Sequence, residues 1–199
     1  ILRGGFPQGR LYLLEGPPGS GKTTLSLQFL LQGLKKGERC LYITLSETEE
    51  ELRGTARSHD WSLAGIDIFE LVPPESLLDE QQQQSLLYSS DLELGETTRM
   101  IFDAVEKVQP KRVVVDSLSE IRLLAQGSLR YRRQVLALKH YFARRGATVL
   151  LLDDLTTESL DKTVHSVAHG VIRLEELTPN YGAERRRVRI VKYRGQKYR

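Results

Sequence analysis

The sequence is short of the residues that would place it in several classes. It has a single cysteine, a single methionine and a single tryptophan. One cysteine excludes an internal disulfide framework and any Cys-rich zinc site, and a reducing cytoplasm is the simplest expected compartment. No apolar run approaches the ~20 residues of a membrane span, and no basic-then-apolar leader is visible. No partner in a membrane is therefore expected. Aromatic residues make up only 7% of the chain and read as core or interface residues rather than base-stacking platforms. A large excess of charge is also lacking, the formal net charge being +3. That small value hides an asymmetry. Residues 184–199 hold Arg185, Arg186, Arg187, Arg189, Lys192, Arg194, Lys197 and Arg199 against the single acid Glu184, so the remainder is net acidic. A basic segment of this kind suits nucleic acid, a nucleotide or an acidic neighbour, or is simply solvated.

What is present is an ordinary globular composition, 40% hydrophobic and 28% charged over 199 residues, too apolar for disorder and sized for one domain. The chain opens at Ile1 and stops inside the basic segment, and residues 1–199 are expected to be one domain of a longer chain. Short apolar runs alternate with helical patterns. Strands are expected at Leu11–Glu15, Cys40–Leu45, Ile66–Val72, Arg112–Asp116 and Thr148–Leu152. Helices are expected at Lys22–Lys36, Thr48–Ser58, Glu96–Val108 and from a cap at Ser128 to Arg145. Leu77–Leu94, with its run Gln81–Gln84, reads as a surface loop. Val171–Leu177 and Arg186–Tyr193 flank Pro179-Asn180-Tyr181-Gly182 and read as a hairpin. The expected fold is α/β, a mainly parallel sheet with helices on both faces and a C-terminal antiparallel hairpin.

The strongest chemical signal is Gly16-Pro17-Pro18-Gly19-Ser20-Gly21-Lys22-Thr23, a full match to G-x-x-x-x-G-K-[ST] between an apolar strand and a helix. The glycines let backbone N–H groups converge on a phosphate, and the helix start adds its positive end. Lys22 would reach the outer phosphates and the Thr23 hydroxyl a Mg²⁺ ion. Asp116, closing Val113–Val115, is the expected magnesium acid, with Asp153-Asp154 as a rival. Glu47, just beyond the second strand, is a candidate to activate water. It also lies among two possible capping boxes, Ser46-x-x-Glu49 and Thr48-x-x-Glu51.

Together these pieces resemble the RecA-like P-loop ATPases, and among them the KaiC family of circadian-clock proteins and its bacterial and archaeal relatives. Gly4-Gly5-Phe6-Pro7-x-Gly9 resembles that family's lead-in to the phosphate loop. Ile43–Thr48 followed by Ala56-Arg57-Ser58-x-x-Trp61 resembles its catalytic-glutamate segment. Val113–Ser117 resembles its magnesium strand, and Lys192-Tyr193-Arg194-Gly195 its K-x-R-G motif. The resemblance implies ATP and Mg²⁺ as cofactors, hydrolysis of ATP, and a homo-oligomeric, hexameric ring with nucleotide between subunits. Gly16, Gly19, Ser20, Gly21, Lys22, Thr23 and Thr24 would hold phosphates, with Ser58 near the nucleotide. Glu47 would orient the water. Lys192, Tyr193 and Arg194 would meet the neighbouring subunit's nucleotide, the two cations at its γ-phosphate. Ser46 stands where clock proteins commonly place the first of two glutamates, which bears on the rate. Where the family's self-phosphorylating half has a Ser-Thr pair, only Ser166 could accept phosphate here.

The leading function is thus an ATPase domain of a KaiC-like ring that couples nucleotide state to assembly and partner signalling. One alternative is a RecA- or RadA-like DNA recombination or repair motor. The acidic stretch Asp153–Lys162 argues against it, and DNA binding is expected to be weak. Another is a slow nucleotide-gated scaffold or autokinase. His165 and His169 have helical i, i+4 spacing, but no third metal ligand is evident.

Overall fold

The computed structural model describes residues 5–71, 86–155, 163–177, 181 and 185–195. Seven strands form one sheet: β1 (Leu11–Gly16), β2 (Cys40–Thr44), β3 (Ile66–Glu70), β4 (Arg112–Asp116), β5 (Thr148–Asp154), β6 (Gly170–Leu177) and β7 (Arg185–Tyr193). Their spatial order is β3-β2-β4-β5-β1-β6-β7. All neighbours are parallel except β6 and β7. The expected α/β architecture with a terminal antiparallel hairpin is therefore observed.

The central strands are apolar on both sides, which is why they read as unbroken hydrophobic runs. Tyr12, Leu14, Tyr42, Val114, Leu150 and Leu152 pack on one face with Leu27 and Leu30 of α1 (Lys22–Leu34) and Leu52 of α2 (Glu49–Arg57). Leu13, Ile43, Val113, Val115 and Leu151 pack on the other. There they meet Ile101 of α3 (Leu86–Val108), Ile121 of α4 (Leu118–Ala125) and Val135, Leu138 and Phe142 of α5 (Ser128–Arg145). The short α6 (Thr163–Val167) adds Val164 and Val167 to this second core.

Three expectations need correction. Residues 86–94 are helical, so α3 begins well before Glu96, while residues 77–85 of the expected loop lie outside the described residues. Leu94, Ile101, Ala104 and Val105 are buried at helical spacing, and that stripe carries the helix through Gly95. Ser128 is the first residue of α5 rather than its cap, a position held by Gly127. Helix α4, which was not expected, occupies the short connection after β4.

The topology fixes where chemistry can occur. In an open parallel sheet, ligands bind beyond the carboxyl ends of the strands. Here β1, β2, β4 and β5 end at Gly16, Thr44, Asp116 and Asp154, so their loops converge at one edge. Strand β7 runs the other way. Arg185 faces Leu177 at the carboxyl edge, and Tyr193 faces Gly170 at the amino edge.

Candidate nucleotide site

The phosphate loop leaves β1 at Gly16, where a Cβ would lie 2.6 Å from the Ser20 Oγ and 2.8 Å from the Leu174 carbonyl oxygen. Only glycine fits between those atoms. Gly19 and Gly21 have φ of 82° and 97°, the left-handed region that turns successive N–H groups to one side. The Ser20 Oγ is buried in the loop with no hydrogen-bond partner. Helix α1 starts at Lys22, and Thr23 and Thr24 follow in its first turn.

Lys22 is buried, and its ammonium donates to the carbonyl oxygens of Gly16 at 2.9 Å and Pro17 at 3.0 Å. It also pairs with Asp154 at 2.7 Å. Asp116 is buried on the same side of the sheet and accepts a 2.6 Å hydrogen bond from the Tyr42 hydroxyl. Burial raises its carboxyl above the ordinary range. The Tyr42 hydrogen bond opposes this, Asp154 adds to it, and Lys22 opposes it more weakly.

Glu47 is positioned by a small turn at the end of β2. The Thr44 hydroxyl donates to the Glu47 carbonyl oxygen at 2.7 Å and accepts from the Glu47 N–H at 2.9 Å. The Leu45 N–H donates to the Asp116 carbonyl oxygen at 2.6 Å and ties this turn to β4. The cap of α2 is Thr48, paired with Glu51 in a complete capping box. Of the two possible boxes, then, neither uses the Glu47 carboxylate. Its Oε2 is buried without a hydrogen-bond partner. Burial raises its pKa most, Asp116, Glu51 and Asp154 raise it further, and Lys22 lowers it. The charges of Asp116, Asp154 and Lys22 thus all reach Glu47.

The adjacent acids of β5 separate by strand alternation. Asp154 faces Lys22, whereas Asp153 turns to the opposite face, where it accepts from Arg122 at 2.5 Å and Ser119 at 3.2 Å. Both belong to the end of β5, and residues 156–162 lie outside the described residues. Of the acidic stretch Asp153–Lys162, Asp153 and Asp154 are thus engaged by Arg122, Ser119 and Lys22.

Lys192 and Arg194 lie at the far end of the sheet from this loop. Lys192 donates to the carbonyl oxygens of His165, Ser166 and Ala168, and Arg194 to that of Ser166 at 3.2 Å. They share a face, as their spacing requires. Lys139 of α5 donates to the Val167 carbonyl oxygen at 2.9 Å, and Arg132 to the Ser166 hydroxyl at 3.1 Å. Burial lowers the Lys192 pKa, and the charges of Arg194 and Lys139 lower it further. Lys139 and Arg132 carry no linear motif, and sequence reasoning missed them.

Other expected site residues are placed elsewhere. The Ser58 hydroxyl donates to the Thr55 carbonyl oxygen at the end of α2, and no side-chain hydrogen bond among the described residues joins it to the phosphate loop. The Tyr193 ring is buried. It stacks on Tyr12 at 6.0 Å and its hydroxyl donates to the Gly5 carbonyl oxygen at 2.8 Å, so its side chain is engaged within the domain. His165 and His169 do not act as a pair. His165 meets Glu15 at 2.7 Å, and the His169 Nδ1 accepts from the Leu11 N–H.

A glycine loop running into α1, acids closing β4 and β5, and this strand order define a RecA-like P-loop domain. The chain belongs to the KaiC ATPase family, whose model, described as "ATPase: KaiC", matches residues 1–199. It is 28% identical over 183 residues to a UPF0273 protein of Pyrococcus horikoshii, covering 88% of this chain and 73% of that one. It is 28% identical over 200 residues to circadian clock protein KaiC3 of Synechocystis sp., covering 96% of this chain and 38% of that one. It is 30% identical over 173 residues to the circadian clock oscillator protein KaiC of Synechococcus elongatus, covering 86% of this chain and 32% of that one. The chain therefore spans about a third of these two clock proteins. Among the described residues, no helix is long and apolar enough to cross a membrane.

Proposed function

We propose that this domain binds ATP with Mg²⁺ at the Gly16–Thr24 loop and hydrolyses it at interfaces of a homo-oligomeric ring, hexameric by resemblance to KaiC. The observation that carries this reading is the meeting of Lys22, Asp154, Asp116 and Glu47 at one sheet edge. The buried, unpartnered Ser20 Oγ and Glu47 Oε2 fit a site built for a polar ligand. Hard oxygen donors suit magnesium, which is usually held by one or two carboxylates, waters and phosphate oxygens rather than an all-protein cage. Thr23 and Asp116 would hold it. When bound, it would neutralise charge on the transferred phosphoryl group. Lys22 would give up its carbonyl partners for phosphate oxygens. Glu47, ionised, would orient the attacking water. Its raised pKa makes it a better proton acceptor than an ordinary glutamate.

The distance of Lys192 and Arg194 from their own phosphate loop supports their use by a neighbouring subunit. So does the gathering of Lys139 and Arg132 beside them. A cation supplied in trans is worth ~10³–10⁵ in rate in GTPase systems. Coupling to a signalling partner and a clock role follow only by likeness to the two clock proteins. Steady-state Mg-ATP hydrolysis tests the reading. Wild type should turn over and Lys22→Ala should not, whereas equal phosphate release by both would reject it.

A second reading, a slow nucleotide-gated scaffold, is favoured by one observation. ATP must displace Asp154 and two carbonyls from Lys22. ATP-dependent assembly without measurable turnover by the wild type would select it.

A further inference from the structure

On strand β1, Leu11 and Leu13 enter the core toward α4 and α5, and strand alternation puts Glu15 on the same face. Its side chain is only 3% exposed, and both carboxylate oxygens are engaged. Oε1 accepts from the Arg173 Nε at 2.7 Å and Nη2 at 2.6 Å, and Oε2 from the His165 Nε2 at 2.7 Å. A carboxylate accepts, so the imidazole donates from Nε2. A leucine would continue the apolar stripe, whereas a buried carboxylate is kept only where partners meet it. Arg173 is the register partner of Glu15 on β6, but His165 reaches it from α6.

His165 is therefore held from two sides. Its side chain is tied to β1, and its carbonyl oxygen accepts from Lys192. Lys192 also donates to the Ala168 carbonyl oxygen at 2.9 Å, and Arg194 donates to that of Ser166 at 3.2 Å. The carbonyls of α6 and of Ala168 just beyond it thus seat both cations. Strand β1 is fixed by its pairing with β5 on one side and β6 on the other. Helix α6 is five residues long, too short to keep its place by its own hydrogen bonds. Besides the buried Val164 and Val167 and the Lys139 bond to the Val167 carbonyl, its tie to the sheet is the His165–Glu15 contact.

We propose that His165, anchored by Glu15, is a positioning residue for the cations each subunit offers in trans: it seats α6, and the α6 carbonyls aim Lys192 and Arg194. This rests on the reading of those two cations as completing a neighbouring site. Glu15 adjoins Gly16, where the phosphate loop begins. The strand that carries a subunit's own loop therefore also carries the reference point for the cations it lends to the next.

The test is steady-state Mg-ATP turnover in two-component assemblies, with mixing verified by native mass. One component, Lys192→Ala/Arg194→Ala, supplies the working loop, and the other, Lys22→Ala, supplies the cations. His165→Ala in the cation-supplying component should lower kcat about tenfold and leave the KM for ATP unchanged, since the other component binds the ATP. His165→Gln there should restore most of the loss, because its amide N–H can replace the Nε2 donor to Glu15. The same His165→Ala placed in the loop-supplying component should leave turnover as it was, which separates misplaced cations from a general failure to fold. An active parent mixture that His165→Ala leaves unchanged in the cation-supplying component would overturn the assignment and spare the in-trans reading. So would one that falls as far when the change sits with the working loop. A parent mixture with no turnover above its components, while mixed assemblies form, would overturn the in-trans reading and this assignment with it.

Discussion

Lys22 and Asp154 form an ion pair 2.7 Å long between the first residue of α1 and the last residue of β5. The pair closes the phosphate loop against the strand beside it, and the Leu155 N–H completes the closure by donating to the Gly16 carbonyl oxygen at 3.2 Å. An anion entering the loop competes with the Asp154 carboxylate for the same ammonium. Asp154→Asn should therefore tighten ATP binding measured without Mg²⁺ several-fold, and calorimetry checks this. About a third of the Asp154 side chain is in solvent, so Lys22→Ala leaves no fully buried charge and should fold.

Asp116 predicts an opposition between stability and function. Burial raises its pKa, so the native state holds its proton at pH values where the unfolded chain has lost it. Stability is then lost as pH rises from the unfolded value through the raised folded one. Asp116→Asn keeps an oxygen for the Tyr42 hydroxyl and removes the charge. It should melt above the wild type at pH 8, read as a rise in Tm, which in a chain of this size moves by roughly 2–4 °C per kcal/mol. The difference should shrink toward pH 4. The same variant should lose Mg²⁺-dependent turnover.

Glu47→Gln should bind ATP as the wild type does and hydrolyse it at least tenfold more slowly, about 1.4 kcal/mol in barrier. Because burial and neighbouring acids raise its pKa, wild-type turnover should fall on acidification earlier than an ordinary glutamate would dictate. A pH–rate profile shows this as an acid limb that disappears in Glu47→Gln.

Thr48 separates capping from catalysis. Its side chain accepts from the Glu51 N–H and Glu51 reaches back to the Thr48 N–H at 2.8 Å. Thr48→Ala should cost about 1 kcal/mol by chemical denaturation. Glu47→Gln should not be destabilised by the same measurement, since its carboxylate takes no part in the cap and burial already disfavours its charge.

The legible parts of this molecule were those with a linear signature. The phosphate loop has fixed spacing, and strands buried on both faces appear as runs such as Val113–Val115. Glu47 was ambiguous between cap and catalyst, because a sequence cannot show which of two overlapping capping boxes forms. The adjacent Asp153 and Asp154 were equally ambiguous. The phase of β5 decides between them, since Leu150 and Leu152 face α1 and carry Asp154 with them. Helix α4 was missed although Leu118, Ile121 and Ala125 repeat at helical spacing, since so short a segment between a strand and a longer helix reads as a loop. The grouping of Lys139 and Arg132 with Lys192 and Arg194 became visible only once folding brought α5 against the end of α6.

The central claim is that the ATPase site is completed by a neighbouring subunit. Lys192 and Arg194 sit at the amino edge of the sheet, away from their own phosphate loop. The double variant Lys192→Ala/Arg194→Ala should fold, bind ATP through Lys22, and lose hydrolysis. Lys22→Ala keeps both cations and lacks a working loop. The most direct measurement is steady-state ATP turnover of these two proteins mixed across a range of ratios, with mixed assemblies verified by native mass. Turnover should rise above either protein alone and peak at intermediate ratios. Mixed assemblies with no turnover above the separate proteins at any ratio would contradict the account.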